Sequence, residues 1–351
     1  MIANELIPAA DAIPVAWGWL YFLLILTFVL HLLFMNVMLG SAIMAFIHDL
    51  RGKNTAVSKD ISTKLPYAIA FTINLGVAPF LFLQVIYGHF IYTSSVLMAA
   101  YWLSAIALLI LLYYSAYIYD FRFDKMPGSR TFFIGLSVIL GLIVAFLFVN
   151  NMTLMLRPEA WNEYFANRSG TILNLDDPML WPRYLHFITA SVAVAGLFQA
   201  VMAKLRPALP DRGERIEQGM KWFTYATVLQ IIIGLWFLIS LPQEVMLSFM
   251  GGSGLNTAIF LLGVSAAVVS LAFGFTRRVW PVTATIAATV VFMALIRDLV
   301  RVEFLRPYFH PSDLKLIPQY SPMIVFFIIL VLGLALVAYM LNLAAKTGKE
   351  G

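Results

Sequence analysis

The chain has 351 residues, of which 62% are hydrophobic and only 12% are charged, with a formal net charge of +5. Soluble domains carry about a quarter charged residues, so this composition excludes an ordinary soluble protein and predicts an integral membrane protein. The absence of cysteine excludes disulfides, thiolate metal sites, iron–sulfur clusters and covalently attached haem c within this chain. The basic residues lie in short loops between apolar segments, which indicates membrane orientation and no nucleic-acid surface.

Nine apolar segments are long enough to cross a bilayer, whose core takes roughly 20 helical residues. We therefore expect an all-α membrane protein with one transmembrane domain covering residues 1–351. The N-terminal stretch "MIANELIPAADAIP" has no basic region, so we interpret it as mature sequence and not as a cleaved signal. The predicted spans are Trp17–Ile47, Pro66–Phe90, Val96–Tyr119, Thr131–Met155, Pro182–Ala203, Trp222–Leu241, Thr257–Phe275, Trp280–Ile296 and Tyr320–Ala345.

The distribution of charge predicts the orientation of these spans. If the N-terminus lies outside and the C-terminus inside, 16 of the 23 basic residues fall in inner loops, as the positive-inside rule requires. All 18 acidic residues lie in the tails, in the loops or at predicted helix ends. Ion pumps and proton-coupled transporters usually place ionisable residues within their spans, so the sequence disfavours a transporter.

His186 is the first candidate for a cofactor ligand. It lies one turn inside the fifth span and three residues after Arg183, so both side chains share a helix face. An imidazole at this depth can bind the iron of a b haem, while the arginine nearer the surface can pair with a propionate. The alternative is a structural histidine that forms hydrogen bonds with neighbouring groups.

Two further histidines, His31 in the first span and His89 at the end of the second, lie toward the same membrane face and are also candidate haem ligands. His48 and His310 are more typical of solvated interface residues. Among the methionines on the outer side, Met250 and then Met246 are the candidates for a sixth ligand, because thioethers can bind haem iron.

Charged and polar residues at the outer end of the molecule suggest further contacts. Arg297 and Arg301 share a helix face and can hold haem propionates or a partner protein; internal ion pairs at the interface are an equal alternative. In the short segment after the sixth span, Gln243 or Glu244 can accept the proton of a quinol.

Three segments resemble subunit I of the cytochrome bd-type quinol oxidases. They are "LTFVLHLLFMNVMLGSAI", "FTINLGVAPFLFLQVIYG" and "YLHFITASVAVAGLF". The resemblance covers about residues 15–205, whereas residues 206–345 diverge. It implies a bundle of nine spans with the N-terminus outside, in which His31 binds a high-spin b haem and His186 a low-spin b haem.

The chain departs from that family where oxygen is reduced. The glutamate of the family's second-helix motif falls on Gln84, and a second carboxylate falls near Ala100. Oxygen reduction needs protons at a buried centre, and these uncharged residues cannot relay them. The outer segment "SLPQEVMLSFMGGSGLN" is also shorter than the family's quinol-binding loop.

Together these features predict a membrane cytochrome b subunit of a respiratory complex, with one to three b haems. It would transfer electrons between quinol or quinone and a periplasmic c-type cytochrome, with a multihaem cytochrome as one form of that partner, without reducing oxygen. Other membrane subunits and membrane lipid are expected partners, in the inner membrane of a bacterium or archaeon. Two alternatives stay open: a terminal quinol oxidase with altered haem ligands, and a haem-free transporter or scaffold.

Overall fold

The structure is a computed structural model that describes residues 3–347. Lys349, which belongs to the inner basic residues of the predicted orientation, lies outside the described residues, as do the first two residues of the N-terminal stretch. Within the described part the chain is 80% helical and contains no strand. The expectation of an all-α membrane protein is confirmed at this level.

Twelve α-helices form the described structure. Short 3₁₀ helices at Pro158–Phe165 and Pro311–Asp313 lie in the loops, and a π-helical turn covers Ser248–Gly252. The α-helices are α1 (Ala3–Leu6), α2 (Trp17–Leu50), α3 (Thr55–Ser62), α4 (Leu65–Leu97), α5 (Ala99–Phe121), α6 (Arg130–Leu154), α7 (Leu180–Lys204), α8 (Arg212–Ile239), α9 (Gln243–Leu247), α10 (Gly254–Phe275), α11 (Val279–Leu305) and α12 (Tyr320–Thr347).

Nine helices within residues 3–347 are long and apolar enough to cross a membrane, and they correspond to the nine predicted segments. Three of them extend well beyond the predicted ends: α4 reaches Leu97, α8 begins at Arg212 and α11 reaches Leu305. Hydropathy marks only the part of a helix that lies in lipid, whereas the backbone hydrogen bonds continue through the polar turns beyond it. As a result, Arg297 and Arg301 lie within α11 and not beyond its end.

The fifth span, α7, is packed closely by small residues on two sides. A Cβ added at Gly196 of α7 would lie 2.8 Å from the carbonyl oxygen of Gly219 in α8. On the other side, a Cβ at Gly40 of α2 would collide with the backbone of Ser191 in α7. Small residues at such crossings let membrane helices approach closely, and here they fix α7 between α2 and α8.

The two ends of the bundle have different polar groups. We call the end at which α7 begins and α11 finishes the Arg183 end, because it carries Arg183 and Arg297. We call the opposite end, which carries α3 and the start of α4, the Asp60 end. The last span, α12, has no buried residue in its most apolar window, so lipid or another protein would cover it.

Candidate functional site

A cavity of about 270 Å³ lies among five spanning helices, α2, α7, α8, α10 and α11, toward the Arg183 end. Its walls are mostly aliphatic and aromatic side chains, and His186, Arg183 and Arg297 contribute the ionisable groups. None of the described residues that line it is acidic. An apolar cavity with a few convergent polar groups is the usual form of a small-molecule or cofactor site.

His186 is the seventh residue of α7 and lies against α8. A Cβ added at Gly234 of α8 would lie 3.2 Å from the His186 Cε1 atom, so the glycine gives the ring its space. The Nδ1 atom of His186 is buried and has no hydrogen-bond partner among the described residues. An imidazole nitrogen without a partner in an apolar environment is costly, which favours a ligand at this position.

The two cavity arginines have aromatic neighbours in place of carboxylates. Arg183 is only 8% exposed, and its Cζ atom lies 5.3 Å from the ring centroid of Phe237. The Cζ atom of Arg297 lies 4.4 Å from the ring centroid of Phe28. Neither guanidinium forms an ion pair within residues 3–347, and a cation–π contact replaces little of the lost hydration. The pair therefore leaves two positive charges at the cavity that no ion pair in the described structure neutralises.

Arg301, one turn further along α11, differs from Arg297. It forms a buried ion pair with Asp298, and its Cζ atom lies 5.1 Å from the ring centroid of Tyr87. It does not line the cavity. Of the two predicted anion-binding arginines of this helix, the structure thus brings only Arg297 to His186.

Asp177 fixes the start of α7 and thereby the position of Arg183. Its buried carboxylate accepts hydrogen bonds from the Met179 backbone N–H at 2.9 Å and from Asn174 Nδ2 at 3.0 Å. Burial raises the pKa of Asp177, and the Met179 N–H and the charge of Arg183 only partly oppose this effect. Asp177 therefore stabilises the loop before α7 mainly through its hydrogen bonds.

His31 occupies a separate environment between α2 and α4. Its Nδ1 atom lies 3.0 Å from the carbonyl oxygen of Thr72, and a Cβ added at Gly76 would lie 2.9 Å from its ring. If Nδ1 donates to that carbonyl, Nε2 keeps its lone pair, which is the usual arrangement of a metal-binding histidine. His31 does not line the cavity of His186, although its neighbours Leu32 and Asn36 do.

Other predicted site residues lie outside the cavity. The ring of His89 packs on Phe90 and Phe309, with centroid distances of 4.3 and 4.6 Å. Met250 is 59% exposed in the π-helical turn, and Met246 packs in an apolar cluster with Met179 and Val300. The predicted quinol residues Gln243 and Glu244 are exposed on α9, next to Leu241 and Phe249, which do line the cavity.

The sequence analysis did not identify several further residues of the cavity, among them Asn36, Gln230 and Met293. The Oδ1 atom of Asn36 is buried without a hydrogen-bond partner, whereas the Gln230 Oε1 atom accepts a 2.6 Å bond from Thr189. Met293 precedes Arg297 by four residues, so it lies on the same face of α11. That spacing was a usable signal, because it parallels the Arg183–His186 pair of α7.

Within residues 3–347 there is no group of three or more His, Cys, Asp or Glu side chains that could hold a bare metal ion. The fold and the cavity define an all-α, multi-pass membrane protein with an arginine-lined apolar cavity. No protein-family model and no curated protein matches the chain. The function therefore rests on the residues of the cavity.

Proposed function

We propose that the chain is a membrane cytochrome b subunit that transfers electrons between membrane quinol or quinone and a periplasmic c-type cytochrome, without reducing oxygen. The observation that carries this proposal is the convergence of His186, Arg183 and Arg297 on one apolar cavity. The cytochrome bd-like motifs noted above support the same assignment.

The cavity fits a b haem in its chemistry. A haem presents a flat apolar macrocycle, an iron that takes histidine or methionine ligands, and two carboxylate side chains. The cavity offers apolar walls, a half-buried imidazole whose Nδ1 atom is buried and unpartnered, and two guanidinium groups without an ion pair in the described residues. When bound, the haem would supply the one-electron redox chemistry that the side chains of this chain lack.

Four residues would hold the haem. His186 would bind the iron from α7, and Met293, the methionine that lines the cavity from α11, would bind it from another helix. Arg183 and Arg297 would each pair with a carboxylate through charge-assisted hydrogen bonds. In both helices the arginine lies about one turn nearer the Arg183 end than its partner, because α7 begins and α11 finishes there.

A second b haem at His31 is proposed on different grounds. The Thr72 carbonyl can hold the His31 ring in the tautomer that leaves Nε2 free for iron. His89 has no comparable support, because its described ring contacts are with Phe90 and Phe309 and it does not line the cavity.

The proposed orientation would put the cavity near the outer face. With 16 of the 23 basic residues assigned to the inside, the positive-inside rule favours a cytoplasmic Asp60 end and a periplasmic Arg183 end. A soluble cytochrome could then approach the cavity from its own compartment. Quinol would enter beside α9, where the exposed carboxylate of Glu244 can accept a proton and release it outside.

The absence of oxygen reduction is proposed from the uncharged residues Gln84 and Ala100 and from the cavity lining, which has no acidic side chain among the described residues. A centre that reduces oxygen needs a proton donor within reach.

The first test is a reduced-minus-oxidised visible spectrum of the purified chain, with pyridine haemochrome quantification. We expect b-haem bands without a long-wavelength haem d band. A protein without a Soret band after reconstitution with haem would contradict the proposal, and a haem d band would favour the terminal oxidase.

The second test is His186→Ala, which we expect to remove one low-spin haem per chain while the protein still inserts into the membrane. His310→Ala is the matched control, because His310 lies in a loop and bonds Ser312 with its ring. Equal spectra for the wild type and His186→Ala would refute the assignment of His186.

A further inference from the structure

A second and larger cavity lies at the Asp60 end of the bundle. It has a volume of about 500 Å³ and forms a groove between α2, α4, α7 and α11. Its charged lining residues, Asp60, Lys64, Arg206 and Arg215, all lie at the end of the groove beyond the spans, and the remaining walls are largely apolar. The groove thus has one polar end at the membrane surface and an apolar body in the membrane.

The polar end carries a net positive charge. The Arg206 Nη1 atom donates a 3.0 Å hydrogen bond to Asp60 Oδ1, and Lys64 Nζ pairs with the same carboxylate. Arg215 lies 3.7 Å from Asp60 Oδ2 and donates a 2.8 Å bond to Asp211. Three cations therefore face two carboxylates, and one positive charge is left to attract an anion.

The cations are ordered yet accessible. The side chains of Lys64 and Arg206 are 34% and 40% exposed. Their N–H groups that do not bond Asp60 can therefore reach a ligand. Because Asp60 already holds both side chains in place, binding an anion would cost little further side-chain ordering.

The apolar body of the groove suits a hydrocarbon chain. The rings of Phe34 and Phe71 lie 5.1 Å apart between centroids, and within the described residues they remain 37% and 54% exposed. Val194 and Leu197 of α7 continue the wall below the polar end. An amphiphile with an anionic head and apolar chains matches both parts of the groove.

Electron exchange between a ligand at this polar end and the haem proposed at His186 is disfavoured by distance. Lys204 follows His186 by 18 positions in α7, which corresponds to roughly 27 Å along the helix. A quinone ring held at the charged end would therefore lie far from the cavity of His186.

We propose that this groove binds one anionic glycerophospholipid, with its phosphate at Lys64 and Arg206 and an acyl chain along Phe34 and Phe71. Basic pockets between transmembrane helices on the cytoplasmic side are a known form of lipid recognition. The proposal goes beyond electron transfer and does not depend on haem.

The test compares lipids retained by the purified chain. Co-purified lipid is first removed by exchanging the protein into detergent. The protein is then incubated with phosphatidylglycerol or phosphatidylcholine, washed, and analysed by native mass spectrometry. We expect one phosphatidylglycerol per chain on the wild type and about tenfold weaker retention on Arg206→Gln, since one charge-assisted bond to the phosphate is lost. Lys204→Gln, an exposed cation outside the groove, should retain lipid as the wild type does.

A second variant separates binding from folding. Ala287→Trp fills the groove from α11 and leaves the Asp60 ion pairs intact, so it should also lose the lipid without losing thermal stability in detergent. Equal retention of both lipids, equal retention by Lys204→Gln and Arg206→Gln, unchanged retention by Ala287→Trp, or displacement by inorganic phosphate alone would each overturn the proposal. A quinone recovered in place of the phospholipid would overturn it as well.

Discussion

The two cavity arginines at the Arg183 end have different partners from the cations at the Asp60 end. At the Asp60 end, Arg206 and Lys64 pair with Asp60, and Arg130 approaches Asp49. At the Arg183 end, Arg183 and Arg297 face aromatic rings, and neither forms an ion pair within residues 3–347. The carboxylates at the Asp60 end neutralise most of the positive charge of their partners, whereas the charges of Arg183 and Arg297 are not neutralised by any ion pair in that part of the chain.

The largest effect is expected from breaking a buried pair at the Asp60 end. The Asp49 carboxylate accepts a 3.0 Å hydrogen bond from the Tyr119 hydroxyl and lies 3.6 Å from the Arg130 Nε atom. Asp49→Ala leaves Arg130 without its carboxylate partner, and we expect the free energy of unfolding to fall by about 3–5 kcal/mol. Denaturation in mixed detergent micelles measures this loss.

Asp124→Ala is the matched control for that prediction. Asp124 pairs with Lys59 at 2.9 Å, but its side chain is 76% exposed. An exposed pair contributes about 0–1 kcal/mol, so this variant should unfold almost as the wild type does. Similar losses of unfolding free energy in the two variants would show that burial does not determine how much each ion pair stabilises the protein.

The second-largest effect is expected on haem retention, from replacing one of the two arginines that form no ion pair in the described structure. Arg297→Gln removes a cation that has no carboxylate partner in the described structure, so the haem-free protein should be as stable as the wild type or more stable. Haem retention should fall about tenfold or more, because a hydrogen bond to a charged group contributes about 1.5–3 kcal/mol. Haem titration and thermal unfolding of the haem-free form measure the two quantities.

Arg306→Gln controls for the loss of a positive charge at the same end. The Arg306 side chain is 73% exposed and pairs with Glu303, so its loss should leave haem retention unchanged. If Arg297→Gln instead destabilised the haem-free protein and retained haem, Arg297 would be a structural residue, and the contrast between the two ends would disappear.

Much of the fold could be predicted from the sequence, because hydropathy identifies spans directly. The limits of α4, α8 and α11 could not, since their polar turns continue as helix beyond the lipid. Arg297 and Arg301 illustrate the consequence. They look equivalent in sequence, but only Arg301 packs against Asp298, and only Arg297 reaches the cavity.

The candidate site could be predicted only in part from the sequence. The spacing of Arg183 and His186 predicts a shared face, and the structure places both at one cavity. Which residues of other helices face them depends on helix rotation, which a uniformly apolar span does not encode. The spacing of Met293 and Arg297 indicates a shared face of α11, but not that this face points toward His186. His31 and Asn36, near neighbours in sequence, face different helices.

The smallest effect on stability is expected from the titration of Asp60. It tests how much the partly exposed ion pairs at the Asp60 end stabilise the protein. Burial raises the pKa of Asp60, but the hydrogen bonds and charges of Lys64 and Arg206 outweigh it and lower the pKa below the ordinary value of 3.8. Arg215 faces the same carboxylate at 3.7 Å.

An acid with a lowered folded-state pKa stabilises the protein above its unfolded pKa, and this contribution is lost as the pH falls through the folded-state value. The unfolding midpoint should therefore drop as the pH falls below about 4, and Asp60→Asn should reduce that slope. Because the Asp60 side chain is 32% exposed, solvent screening keeps the change well below that of Asp49→Ala. An identical pH slope in Asp60→Asn would mean that the ion pairs of Asp60 contribute nothing measurable to stability.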